Sequence, residues 1–219
     1  MNILKLITFF LSSQIYGIFD FLEIDTSALT SQSSFECLIK QGYSGTILRG
    51  YTSYGAVDPN VVSSMKNALA AGMYLVDVYM FPCVPCGNPS GQVQELWDAI
   101  SSLVPLHRSL NIWVQVTQYA WNKSQSYNQS FILSMMSKIS QTGNIPGVYT
   151  SILDWNAIVG ASWTGAKNFF LWNIQHDDKP NTNSWQPFGG FTTVTLKQYT
   201  GTINLCNTTV NKDYYPLDS

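Results

Sequence analysis

Between residues 21 and 175 the apolar pattern switches repeatedly between a period of two and a helical period of about 3.6, with short connections. Residues 21–25 (FLEID), 46–49 (TILR), 73–81 (MYLVDVYMF), 112–117 (IWVQVT), 146–150 (PGVYT) and 168–175 (NFFLWNIQ) read as strands. Helical stretches lie between them. Ser33 or Ser34 can cap the first, Asp58-Pro59 opens the second, Pro105 ends the third, residues 128–142 form the fourth, and SILDWNAIV is a short fifth. Strand–helix alternation of this kind builds a mostly parallel sheet with helices on its outside. After residue 175 the helices stop, and only strands near 194–200 and 202–206 follow. The pattern predicts an α/β chain of one domain, residues 18–219, folded as a single irregular (β/α) TIM-like barrel with helices missing near the C-terminal end.

Barrels of this kind keep their chemistry at the C-terminal ends of their strands. In the strand at 112–117, Ile112, Val114 and Val116 share one face and Trp113, Gln115 and Thr117 the other. Its inward end therefore offers an amide and a hydroxyl, and no acid. In the first strand Phe21, Glu23 and Asp25 share one face, so acids are expected on that side instead.

Residues 1–17 combine one lysine with an apolar run too short to span a bilayer, the pattern of a signal peptide. A soluble product is expected, secreted to the extracellular space or a lysosome-like compartment, with no membrane partner. Only 11 % of residues are charged and the net charge is −2, with no basic run, so no nucleic-acid partner is expected. Aromatic residues make up 14 % of the chain, enough for a large core or for a groove that stacks on sugar rings. Sequons at Asn122, Asn128 and Asn207 suggest a glycoprotein. The four cysteines suggest two disulfides with three possible connectivities; Cys83–Cys86 with Cys37–Cys206 is favoured. No metal and no cofactor is expected, since there is no second Cys pair and there are only two histidines. A monomer is expected.

Several motifs carry a resemblance. Ile24-Asp25-Thr26-Ser27, Arg49-Gly50-Tyr51, Gly55-Ala56-Val57-Asp58-Pro59-Asn60, Asp77-Val78-Tyr79-Met80-Phe81-Pro82-Cys83, Gly147-Val148-Tyr149, Leu171-Trp172 and Lys197-Gln198-Tyr199 follow one another at spacings that resemble the Chalaropsis-type lysozymes. These are glycoside hydrolase family 25, and the likeness is to the nematode lysozyme-like branch. It implies a modified barrel that cuts the β-1,4 bond from N-acetylmuramic acid to N-acetylglucosamine in peptidoglycan. It also implies an Asp ending the first strand, an Asp-x-Glu pair ending the fourth, and a further Asp near the last. Asp25 fits the first position. Gln115 and Thr117 stand where the Asp-x-Glu pair belongs, and Asn211 stands where the last Asp belongs. Glycoside cleavage needs a proton donor and a negative charge beside an oxocarbenium-like centre, which neither an amide nor a hydroxyl supplies. The expectation is a catalytically impaired, peptidoglycan-binding homologue acting in innate defence. An active lysozyme using non-standard acids is one alternative, and a structural or partner-binding secreted protein another.

The alternative acids are Glu23, Asp77 and Asp213. An inward Glu23 is expected to pair with Arg49, and Asp77 to be structural or to pair with Arg49. Asp213 lies two residues beyond Asn211, about 6–7 Å along a strand, and is expected to be too far away to replace it. Tyr79, Tyr149, Trp172 and Gln198 are the candidate substrate-binding residues, with plain barrel packing the equal alternative for each of the three aromatics. His107 and His176 are expected in solvated loops.

Overall fold

The computed structural model describes residues 21–105 and 108–216. The signal-peptide region and His107 lie outside the described residues. The elements are β1 Phe21–Thr26, α1 Gln32–Lys40, β2 Tyr43–Thr52, β3 Ala56–Val57, α2 Val61–Ala71, β4 Leu75–Met80 and α3 Pro89–Ile100. There follow β5 Asn111–Val116, α4 Gln125–Gln141, β6 Ile145–Thr150, α5 Ile152–Ile158, β7 Phe170–Ile174, β8 Leu196–Leu205 and β9 Thr208–Tyr215. The sheet order is β1-β9-β8-β7-β6-β5-β4-β2-β3, and β1 also pairs with β2. Eight strands thus close a barrel, with β3 a short hairpin partner of β2. The strands from β4 to β8 and the β1–β2 and β2–β4 pairs are parallel; β9 runs antiparallel to both β8 and β1.

The expected barrel is therefore present, and its irregularity has a cause. The connection from β8 to β9 is a tight turn, with Cys206 and Asn207 at φ 52° and 59°, where a βα unit would insert a helix. The sequence reading put strands at 194–200 and 202–206. They are one continuous β8 with slips in register after Gln198 and after Thr200, and β9, the strand of Asn211 and Asp213, follows it.

Alternation sorts the side chains. Ile112, Val114 and Val116 face the helices in the larger apolar cluster. Trp113 faces the axis with Ile47, Tyr79, Tyr149, Trp172 and Leu196, which fill the barrel interior. Trp172 stacks on Tyr149 at 3.8 Å between centroids and meets Trp113 edge-on at 5.7 Å. Trp113 can lie across β6 only because residue 147 is glycine: a Cβ there would sit 2.3 Å from the indole.

Caps explain where the helices start. The first begins on Ser31, whose hydroxyl accepts from Ser34 N, rather than on Ser33 or Ser34 themselves. Asn60 rather than Asp58 is the cap position of α2, because the Asp58 carboxylate is used by Arg49 Nε at 2.6 Å and by Asn60 N at 2.8 Å. The fourth helix starts earlier than expected, on Ser124. Both favoured disulfides form. Cys37–Cys206 ties α1 to the β8–β9 turn, and Cys83–Cys86 closes the loop after β4.

Two of the three sequons remain exposed, Asn122 and Asn207. Asn128 does not, contrary to the expectation of a glycan there. Its side chain is fully buried, and its amide nitrogen donates to the carbonyls of Asn122 and Ile158. A glycan would replace one of the two hydrogens on that nitrogen and so remove one of these bonds, and the buried side chain leaves no space for the sugar.

Candidate active site

Two strands bring acids to the axis. Glu23 and Asp25 project inward from β1, and Asp213 projects inward from β9, paired in register with Glu23 and with Gln198. Asp25 is held by two amides: Gln198 Nε2 donates to Oδ2 at 2.6 Å and Asn211 Nδ2 to Oδ1 at 2.9 Å. The same Gln198 nitrogen donates to the Tyr149 hydroxyl at 2.8 Å. Gln198 Oε1 in turn meets His176 Nε2 at 2.8 Å, so His176, exposed as expected, is also the outer end of the Asp25 network.

Asp213 lies nearer to Asp25 than the sequence suggested. Its Oδ1 accepts from Trp172 Nε1 at 2.8 Å, and its carboxyl lies within hydrogen-bonding reach of Asp25. Its Oδ2 is buried and faces no donor. Two adjacent buried carboxylates cannot both be charged, and one proton settles the conflict. Burial, then the charges of Asp25 and Glu23, push Asp213 well above the usual carboxylate range, so it keeps the proton. Burial raises Asp25 to about 6, against the two amides and Asp213, which favour its charged form. Along β9 the two-residue spacing holds, with Asn211 opposite Asp25 and Asp213 opposite Glu23; Asp213 meets Asp25 across the stagger of neighbouring strands rather than by taking the place of Asn211.

Glu23 does not pair with Arg49, and neither does Asp77, because Arg49 is committed to Asp58. Glu23 sits one layer below Asp25 with its carboxyl in the space that a Cβ on residue 45 would occupy, 2.7 Å away, hence Gly45. Burial, then the Asp77 charge, pushes it to about 8. Asp77 is structural: Asn111 donates to it from backbone and side chain at 2.9 and 2.7 Å.

At the mouth, Gln115 and Thr117 are half-buried, and Gln115 Nε2 donates to Thr117 Oγ1 at 3.0 Å. The two positions are thus spatially together as expected, and they satisfy each other. The groove assignments need correction. Tyr79, Tyr149, Trp172 and Gln198 are all buried, 8 % exposed or less, because alternation points them at the axis below the rim. They pack the barrel and hold Asp25 and Asp213, with almost no face left for a sugar ring. The aromatic surface at the mouth comes instead from Tyr119, which is 53 % exposed and meets Phe81 edge-on at 5.4 Å. Only their position just past β4 and β5 could have identified them.

A closed barrel, a buried acid at the end of β1 and a polar pair at the end of β5 together form a specific arrangement. Residues 19–199 match the family model described as Lysozyme-like protein 1. The chain belongs to the lysozyme-like proteins of glycoside hydrolase family 25. Among relatives of this family 25 chain, "Probable GH family 25 lysozyme 5" of Dictyostelium discoideum is 37 % identical over 202 residues, covering 90 % of this chain and 91 % of the relative. Lysozyme-like protein 5 of Caenorhabditis elegans is 32 % identical over 196 residues, covering 88 % and 90 %. Among solved structures, the bacterial lysozyme from Streptomyces coelicolor superposes with a TM-score of 0.72 at 18 % identity, covering 89 % of this chain and 91 % of that one. At that identity the likeness speaks for the fold.

Proposed function

We propose that this family 25 chain is a secreted lysozyme-like protein of innate defence that binds amino-sugar glycan such as peptidoglycan and is impaired in cleaving it. The observation that carries the reading is the Gln115–Thr117 hydrogen bond at the end of β5. The site where the family resemblance puts a proton donor holds two neutral groups already bonded to each other. The acids that remain are Asp25, 1 % exposed, and Asp213, fully buried, so neither presents a carboxyl face to a glycan at the mouth. The exposed Tyr119 supports binding, since an aromatic face and flanking amides suit a neutral sugar. The names of the lysozyme relatives support a glycan of the peptidoglycan type.

The proton shared by Asp25 and Asp213 favours a second reading, a working hydrolase with non-standard acids. A carboxyl that keeps its proton at neutral pH is what a general acid requires. One experiment separates the two. The secreted protein is incubated with purified peptidoglycan, and bound protein and released reducing ends are measured together. Binding without release is expected. Release abolished by Asp25→Asn would establish the hydrolase instead, and absence of binding to any amino-sugar polymer would remove both.

A further inference from the structure

A cleft of about 300 Å³ lies outside the barrel wall, beside the C-terminal end of β7. Trp172 faces the axis, so its neighbour Asn173 faces outward, and Asn173 with Gln175 lies on the cleft side of the strand. The opposite wall is the loop that carries Ser184, Trp185, Gln186 and Phe188.

The loop is fixed in place. Lys197 is fully buried on β8, and its ammonium group donates to both Asp177 oxygens at 2.8 Å and to the carbonyls of Lys179 and Asn181 at 3.2 and 2.8 Å. Ser184 is tied to Gln175 Nε2 at 2.9 Å and to Asp177 at 3.1 Å. A buried charge spent on holding a loop gives the cleft a standing shape, which lowers the ordering cost of binding.

The lining has one chemical character. Ile174, Trp185 and Phe188 supply apolar surface, and three amides and a hydroxyl supply the polar groups; no charged side chain is present. Asn173 is only 3 % exposed, yet its single hydrogen bond is a 3.5 Å contact to Gln175 Oε1, and its Oδ1 accepts none. A contact that long contributes little. A buried amide with unused capacity beside a cleft asks for a neutral partner with donors and acceptors. Trp185 buries its Nε1 and leaves carbon for the cleft, which suits the C–H face of a ring. The volume lies at the bottom of the range for small-molecule sites and accommodates a single ring.

We infer that this outer cleft is an accessory binding site for one neutral pyranose unit of a glycan, with Asn173, Gln175 and Gln186 as its hydrogen-bonding groups and Trp185 as its stacking wall. The inference rests on the glycan-binding reading, but it concerns a cleft at the ends of β6 and β7, lined by other residues than the Gln115–Thr117 mouth.

Isothermal titration of the secreted protein with chitotetraose tests it. Two sites per chain are expected. Gln186→Trp, an exposed position at the cleft rim, should fill the cleft and leave one site, while Gln115→Trp should remove the other. Trp185→Ala should weaken the outer site by about tenfold or more. Melting curves check that each variant is folded, and the rim variant keeps the test valid if Trp185→Ala does not fold. Unchanged binding in folded Gln186→Trp, with loss in Gln115→Trp, would overturn the accessory site and leave the proposed function standing. No binding by the wild-type protein would overturn both.

Discussion

The end of β5 and the seam where β9 joins β1 and β8 are a few strands apart in one barrel, and they treat charge in opposite ways. At β5 the side chains are half-exposed and neutral, Gln115 bonded to Thr117. At the seam Glu23, Asp25 and Asp213 are gathered in the interior, each 3 % exposed or less. The acids of the barrel therefore lie behind the surface of the mouth. Exposure and acidity have been separated, and a general acid needs both.

The largest effect should come from putting them back together. Gln115→Asp with Thr117→Glu places carboxyls at the exposed end of β5, where restoring a general acid is worth about 10²–10⁴-fold in rate. Asn211 should stay as it is, because its amide donates to Asp25 and an acid there would crowd a third carboxyl into the seam. Reducing-end release from peptidoglycan measures the gain. A folded double variant that still binds glycan but releases nothing would mean that the mouth lacks more than an acid.

Trp172→Ala attacks the seam from the side. It removes a fully buried ring that stacks on Tyr149 and donates to Asp213. Truncating such a ring costs about 3–5 kcal/mol, before the stranded carboxyl is counted. Chemical denaturation should show that loss, whereas Tyr119→Ala at the mouth should leave stability nearly unchanged and weaken glycan binding.

The seam should also make stability depend on pH, with a defined sign. Glu23 rises from 4.5 to about 8 on folding. The native state therefore holds a proton that the unfolded chain releases, and stability falls as pH rises. The contribution is complete below about pH 4.5 and lost as pH passes through about 8. Between pH 5 and 7 the loss amounts to about 2–3 kcal/mol. Asp25 and Asp77, both raised to about 6, act in the same direction below that pH. Melting temperatures should fall from pH 5 to pH 8, and Glu23→Gln should flatten the fall above pH 6. An equal slope in the variant would place the buried proton elsewhere.

The sequence made the two regions unequally legible. Period-two alternation at β5 placed Trp113, Gln115 and Thr117 on the inner face directly, because a single strand decides which side a residue faces. The barrel followed from helix–strand alternation for the same reason. The seam needed three strands at once. Asp213 reaches Asp25 through the stagger between β1 and β9, and β9 carries no helix before it to announce a strand. The Arg49 pairing was misjudged because Asp58, nine residues away, sits in a turn that brings its carboxylate to the guanidinium. Groove and barrel packing stay open alternatives for Tyr79, Tyr149 and Trp172 in the sequence, because a strand pattern gives the face of a residue and not its depth along the axis.

The finest test of the contrast is Asp213→Asn. If Asp213 holds its proton at neutral pH, it accepts from Trp172 and donates to Asp25, and asparagine can do both through its oxygen and its nitrogen. The substitution should then change stability at pH 7 by less than about 1 kcal/mol. Asp213→Leu, which leaves the Trp172 Nε1 without a partner and takes one of its three partners from Asp25, should cost several times more. Above pH 8 the asparagine variant should become the more stable form, because it cannot be forced to ionise beside Asp25. If asparagine costs as much as leucine at pH 7, Asp213 is a charged group held by something other than a shared proton, and the seam would then be a reserve of negative charge rather than of protons. The same variant bears on chemistry, since an amide can keep the geometry of the pair but cannot hand over a proton. Any hydrolysis that survives in it must draw its acid from a group other than Asp213.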